Sequence, residues 1–402
     1  MSILAVNAGS SSLKFALYPV RAGQIEAAQV VGQAEGLEPG GTPRLMLSVC
    51  AQADAPAAPE WHDIAVSAGQ DAFALALQAL HAMLQQRFAH IPIQAIAHRV
   101  VHGGAQHSRS VVVDAQVLAT LASLNALAPL HQPHNLAGIR AFAQVFPQLP
   151  QVACFDTAFH ASLPVLETTF AIDHALTEAG VRRYGFHGLS YQYVSQVLRE
   201  ASPRSAGRLI MAHLGNGASV CACLQHRSQA TSMGFSALDG LMMGTRSGAL
   251  DPGVLLYLLA QGWDPARLQT LLYKQSGLLG VSGESADMRR LRASTQPRAR
   301  LATDLFARRV VREIGAQAAV IGGLEVLAFT GGIGEHDALL RQQVCQSLAH
   351  LGVVVQETAN QRAKGDTVAP IHASDSAVEV WVVPTDEGRV AAREALQLLN
   401  LT

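Results

Sequence analysis

Lysine is nearly missing from this chain. Of 29 lysines and arginines in 402 residues, only Lys14, Lys274 and Lys364 are lysines. The 29 basic residues are balanced by 30 acidic ones, giving a formal net charge of -1. A balance this close to zero provides no basic field for a nucleic acid or an anionic membrane surface. Long apolar runs are also missing: none approaches the roughly 18 residues that span a bilayer. The opening Met1–Asn7 lacks a basic segment followed by an apolar stretch, so no signal peptide is expected. The five cysteines are odd in number and show no C-x-x-C spacing, which suits a reducing compartment, and a cytoplasmic location is expected.

Several catalytic fingerprints are absent as well. No lysine follows a glycine, which excludes G-x-x-x-x-G-K-[ST]; G-x-G-x-x-G does not occur either. The sequence thus offers neither a P-loop nor a Rossmann dinucleotide site. His-E-x-x-His and G-x-S-x-G are missing too, which removes the main anchors for zinc-peptidase and serine-hydrolase readings. His98/His102 and His131/His134 have spacings compatible with metal ligation. On a strand, however, four residues separate the first pair too widely for one ion, and Pro133 interrupts the second.

What the chain does have is ample apolar material, 49% of residues, which excludes disorder as the main state. Its length provides for two or three domains at about 100–200 residues each. Ile3–Val6 and Leu13–Leu17 alternate like strands around a Gly/Ser turn at 7–12, a hairpin signal. Leu209–Leu214, Gly215–Ser219 and Val220–Leu224 repeat that plan in the second half, suggesting a duplicated fold. A third glycine turn, 331–335, follows the apolar run 325–330. Helical stripes are expected over 71–89, 114–127, 135–146, 301–321, 336–351 and 388–399, whereas 36–59 reads as loops and short strands. Strands alternating with helices in two halves predict an α/β protein.

Glycine turns after strands let backbone N–H groups approach phosphate. One such turn is a common accident. Three, with Lys14 beside the first, favour a nucleotide. Arg99 and Val101, two apart on an expected strand, offer a guanidinium fork and an apolar wall suited to a small carboxylate, although an arginine there could equally cap a loop. Arg246 lies in a glycine-flanked loop expected to be flexible and anion-binding. Asp156 ends an apolar run, where a carboxylate also serves as a helix cap.

Together these segments resemble one family, the acetate kinases of the acetate and sugar kinase/Hsp70/actin group. The resemblance rests on Leu4–Phe15, His98–Gly104, Pro129–His131, Phe155–His160, Arg183–Gly188, His213–Val220, Thr231–Phe235 through Asp251–Pro252, Phe329–Glu335 and Pro384–Glu387. These follow the family's order from residue 4 to about 394. It implies a two-domain actin-like ATPase (ribonuclease H-like) fold with a cleft, with residues 1–150 plus 385–402 as one domain and 151–384 as the other. It implies transfer of phosphate from ATP to a short carboxylate, giving ADP and an acyl phosphate. Acetate is the expected acceptor; propionate or butyrate is the alternative. The cofactor implied is Mg²⁺, with Mn²⁺ able to substitute, and the state a homodimer.

By motif, Asn7 and Glu387 would hold the metal. Lys14 would meet nucleotide phosphate, alongside His213, Leu214, Gly215, Asn216, Gly217, Asp287, Met288, Arg289, Gly332, Ile333, Gly334, Glu335 and His336. Arg99, Val101, Leu130 and Phe186 would bind the carboxylate. Asp156 would orient it, His187 would donate a hydrogen bond to the transferring group, and Arg246 would neutralise that group. Departures from the family's usual residues fall at Leu189, Tyr191, Ala237, His336, Asp386 and Gly388.

Overall fold

The computed structural model describes residues 1–38, 40–50, 59–66 and 70–401. Two compact units divide the chain: Met1–Ala158 with Asp386–Thr402, and Phe159–Thr385. The boundary falls after the strand Gln151–Phe155 rather than at residue 150, because that strand pairs in the first unit's sheet. At the other end, the returning segment starts at Asp386.

Among the described residues, the first unit is built on nine strands: β1 (Ser2–Ala8), β2 (Ser12–Arg21), β3 (Gln24–Ile25), β4 (Val30–Glu35), β5 (Arg44–Val49), β6 (Glu60–Asp63), β7 (Ile93–Val100), β8 (Val111–Val112) and β9 (Gln151–Phe155). Their order is β6-β5-β4-β2-β1-β7-β9-β8, with β3 hanging on β2. The expected hairpin is β1–β2, in register from Ser2↔Pro19 to Ala8↔Leu13. β1 then runs parallel to β7, and β7 parallel to β9. The burial patterns follow from these positions. Central β1 is apolar and covered on both faces, whereas β4 alternates buried and half-buried residues. Within 36–59, where loops and short strands were expected, β5 pairs in full register with β4; residues 39 and 51–58 lie outside the described residues.

Helix Ala72–Arg87 is capped by Asp71, whose Oδ1 accepts from the Phe73 amide at 2.9 Å. It buries Leu77, Leu80 and Leu84 among Phe15, Leu17 and Phe142, each leucine contributing about 2 kcal/mol. Helix Gln132–Val145 starts three residues earlier than its apolar pattern predicts, with proline in its first turn. The expected helix over 114–127 ends at Ser123.

The second unit holds six strands: β10 (Leu209–Leu214), β11 (Ala218–Leu224), β12 (Arg227–Thr231), β13 (Val326–Thr330), β14 (Ala369–Pro370) and β15 (Glu379–Val382). The order is β12-β11-β10-β13-β15-β14, with β10, β13 and β15 parallel. Helix Gly188–Ala201 packs Tyr191, Val194 and Leu198 onto Met211, Cys221, Cys223 and Val326. Cys221 and Cys223 share a face as expected, their sulfurs 3.8 Å apart. All five cysteines are free. Among the described residues, no helix is long and apolar enough to cross a membrane.

Candidate active site

In the first unit the ends of β1, β2 and β7 meet the start of helix Glu387–Leu398. Cross-strand pairing sets Asn7 beside Lys14. A cavity of about 180 Å³ is lined by both, together with Arg99, Tyr18 and Glu387. Arg99 donates twice to Asp156, Nε to Oδ1 at 3.0 Å and Nη2 to Oδ2 at 2.6 Å. Its Nε also lies 3.1 Å from Glu387 Oε2. Burial works against the arginine's charge, yet the attraction of Asp156 and then Glu387 outweighs it and raises its pKa. Both Asp156 carboxylate oxygens thus bind the Arg99 guanidinium, and Glu387 reaches its Nε from the last helix. Val101 is buried just past β7 and Leu130 is half-buried in the loop before helix Gln132–Val145.

Asn7 and Glu387 are hard oxygen donors on one small cavity. That donor set fits a magnesium-type cation, which takes one or two protein ligands and completes its shell with water and phosphate. Among the described residues, no group of three or more His, Cys, Asp or Glu gathers into a metal cluster. His98 instead bonds Gln151 at 2.5 Å inside the core.

Most of the expected nucleotide residues come together in the second unit. A cavity of about 760 Å³ is lined by Gly215, Asn216, Asp287, Met288, Arg289, Gly332, Ile333 and His336, and also by Ala286, Arg292, Asp337 and Ala338. Lys14 is not among them; it belongs to the first unit's cavity. Gly331 has φ +75°, and a Cβ there would lie 2.8 Å from the Leu214 carbonyl oxygen, so the turn after β13 requires glycine. Glu335 is turned inward, its Oε1 accepting from the amides of Gly331 at 2.8 Å and Thr385 at 3.0 Å. It braces the turn rather than lining the cavity. Asp287 caps helix Met288–Ala293 and binds Arg289. The Arg289 side chain and then its amide hold the Asp287 carboxyl down at about 2.

His213, Gly217, His187 and Arg246 form a group beside this cavity's Gly215–Asn216 edge. A Cβ on Gly217 would sit 2.8 Å from Arg246 Nη2 and 3.1 Å from His187 Nε2, so both cationic or proton-bearing tips converge on a residue that must stay small. His187 adopts φ +58°, a left-handed conformation uncommon outside glycine, at the start of helix Gly188–Ala201. Its ring stacks on His213 at 4.3 Å. Phe186 is buried, its carbonyl accepting from His160. The Arg246 loop is not the flexible one expected. Met242 and Met243 are buried, Met243 N bonds Arg246 O, Gly244 N bonds Asn216 O, and Arg246 Nη1 donates to Ala237 O at 2.6 Å.

Sequence reading missed the residues that hold these parts from behind. Arg341 is fully buried and donates to Gly334 O, Glu335 O, Asn360 O, Ala363 O and Asn360 Oδ1, gripping the 331–336 turn. Asn135 ties Ala8 O to the Val101 amide, and Gln132 clamps the His102 backbone. Arg183 gathers the carbonyls of Thr231, Ser232 and Met233. The one available signal was a lone arginine among apolar helix positions at 341.

The sequence and the fold are similar to those of known proteins. The Acetokinase family model matches residues 2–393. An acetate kinase of Rhodopseudomonas palustris is 46% identical over 401 residues, covering 99% of this chain and 98% of the relative. Among solved structures, a propionate kinase from Francisella tularensis superposes with TM-score 0.87 at 36% identity, covering 98% of each chain. Porphyromonas gingivalis acetate kinase gives 0.85 at 34%, covering 99% of each. The two sheets are therefore those of the actin-like ATPase fold, and the match along nearly the whole length makes the chain a member of the acetokinase family, kinases that transfer phosphate to a carboxylate.

Proposed function

We propose that this protein is an acetate kinase, reversibly transferring the γ-phosphoryl of ATP to acetate with Mg²⁺, giving acetyl phosphate and ADP. The observation that carries the acceptor is Arg99. It is a half-buried fork next to Val101, charged under all ordinary conditions, with its orientation fixed by Asp156. A carboxyl pKa near 4 leaves acetate already ionised at pH 7, so the reaction needs positioning of the acid rather than removal of its proton. Arg99 would bind the carboxylate, with Val101, Leu130 and Phe186 as the wall against its methyl group. Asp156 would hold the guanidinium in the receptive geometry.

The cavity of about 760 Å³ in the second unit suits a nucleotide by size, and its glycine turns expose backbone N–H groups to phosphate. Transfer spreads charge over the equatorial oxygens of the phosphoryl group, so neutralising that charge is the main catalytic demand. Arg246 and the Nε2–H of His187 would meet it, and Lys14 would contact phosphate as a point charge. Asn7 and Glu387 would hold Mg²⁺, which when bound screens charge on the phosphate oxygens.

We further place the enzyme in the cytoplasm as a homodimer. The nine-residue helix Pro252–Ala260 supports the second assignment: it buries no residue and leaves Leu256 69% and Tyr257 62% exposed. Light scattering that returned a monomer mass would remove it. The propionate kinase neighbour, and Ala237 where the family usually has proline, favour a second reading in which the larger acid is preferred. Comparing kcat/KM for acetate, propionate and butyrate under coupled detection of ADP and hydroxamate tests both. Acetate should lead; a preference for a longer acid would overturn the assignment, and ATP turnover without acyl phosphate would overturn the kinase.

A further inference from the structure

His187 and His213 stack face to face, and each ring's Nδ1 meets a hydroxyl that itself leads to a second hydroxyl. Ser219 Oγ lies 2.9 Å from His187 Nδ1 and 2.5 Å from the Tyr191 hydroxyl. Ser190 Oγ lies 2.8 Å from His213 Nδ1 and accepts from Thr385 Oγ1 at 2.9 Å. Tyr191, Ser219 and Ser190 are fully buried.

The direction of each chain follows from counting protons. Burial first, together with neighbouring thiols, pushes the Tyr191 phenol well above its usual pKa, so it keeps its proton, and Ser219 Oγ is the acceptor within reach. The phenol proton is therefore left to donate to Ser219. Ser219 accepts there, so its single proton goes to His187 Nδ1. By the same count, Thr385 donates to Ser190 and Ser190 donates to His213 Nδ1. In both rings Nδ1 is thus an acceptor and the proton sits on Nε2. For His187, Nε2 is the atom facing the Gly217 backbone near the Arg246 tip.

We propose that Tyr191–Ser219 and Thr385–Ser190 are paired hydroxyl relays that lock His187 and His213 as Nε2–H tautomers, so that His187 directs an N–H donor, beside the Arg246 tip, at an anionic phosphoryl group. They are positioning residues, acting through the imidazoles. The opposite tautomer would turn a lone pair toward that anion and leave a buried serine hydroxyl with nothing to donate to. The proposal rests on the placement of His187 in the phosphoryl site, so its test has one arm that does not use activity.

In full-length protein with ¹⁵N-labelled histidine and no substrate, ring spectra should show both residues with protonated Nε2, and Ser219→Ala should convert His187 to a tautomer mixture. A wild-type His187 or His213 protonated on Nδ1 would overturn the relay whatever the kinetics. In turnover, Ser219→Ala should lower kcat at least ten-fold and Tyr191→Phe three- to five-fold, with both KM values within two-fold. Ser219→Thr, which keeps the hydroxyl, should recover kcat to within three-fold. If Ser219→Ala folds and keeps wild-type kcat, or if KM moves instead, the relay has no catalytic part. Should Ser219→Ala fail to fold, Tyr191→Phe and Ser219→Thr decide by the same readouts. Undiminished kcat in His187→Gln would refute the phosphoryl-site reading alone, leaving the spectra to judge the relay.

Discussion

The two units carry one architectural plan and opposite chemistry. Strand for strand, β4-β2-β1-β7-β9-β8 matches β12-β11-β10-β13-β15-β14, with the same sequence of antiparallel and parallel neighbours. At the first hairpin, β1–β2, the surroundings are ionic: Lys14, Arg99, Asp156 and Glu387 around a cavity of about 180 Å³. At the second, β10–β11, they are glycines, hydroxyls and two stacked imidazoles beside a cavity four times larger. A duplicated scaffold therefore sets where the turns fall, and the side chains at the turns give the two places their different chemistry.

This contrast can be broken at its strongest point by exchanging the predicted burdens of the two arginines. Arg246→Ala, in the second unit, should reduce kcat by about 10³-fold with acetate KM little changed, as for loss of a charge clamp on a transferring phosphoryl group. Arg99→Ala, in the first, should raise acetate KM by about 10–100-fold with a smaller loss of kcat. Steady-state kinetics with the reverse pattern would show the roles to be exchanged. Next in size, Arg341→Met should cost the second unit about 3 kcal/mol, since it strips five donations from buried carbonyl and amide oxygens. Hydrogen exchange of the 331–336 amides and nucleotide affinity should both report it, with β1 and β7 amides unchanged.

Acid should act on the opposite unit. Burial lowers His98 and His102 to about 4, in His98 against the opposing effect of its Gln151 bond. Between pH 6.5 and 4 the unfolded histidines bind protons that the folded ones refuse. Folding stability therefore falls as pH drops through this window, by at most about 3 kcal/mol for each ring. Urea unfolding at pH 6.5 and 4.5 should show the loss, and His98→Gln should reduce its slope. The smallest effect concerns Asp386, whose Oδ1 accepts from Tyr18 and caps the last helix through the Arg389 amide. An asparagine side chain keeps the capping oxygen, so Asp386→Asn should leave stability within about 0.5 kcal/mol. It should raise the Mg²⁺ concentration for half-maximal rate less than three-fold.

The parts of this comparison that were legible in the sequence are those written locally. Alternation marked both hairpins, and glycine turns marked the strand ends. The boundary at 150 missed because β9 is one short apolar run, and only its pairing with β7 tells which sheet owns it. The flexibility expected around Arg246 followed from its glycines, whereas the hydrogen bonds fixing that loop, backbone ones with residues 216 and 278 and the Arg246 side chain's with Ala237 O, are invisible to local composition. Arg341, Asn135 and Gln132 escaped for the same reason. Their partners are backbone carbonyls and amides, which every residue has, so no residue type flags them.

The last helix carries a further consequence, for the order in which the molecule is made. Glu387–Leu398 belongs with strands finished more than 200 residues earlier: Cys154 Sγ reaches Ala391 O, and Arg389 donates to Ile25 O. A growing chain emerging N-terminus first can form most of the first sheet, then the whole second unit, while the first still lacks its closing helix. Contacts of such separation are slow to form and leave apolar surface waiting. Glu387 is thus delivered only after the whole second unit has been made, and until then the cavity it lines with Asn7, Lys14 and Arg99 lacks one of its walls.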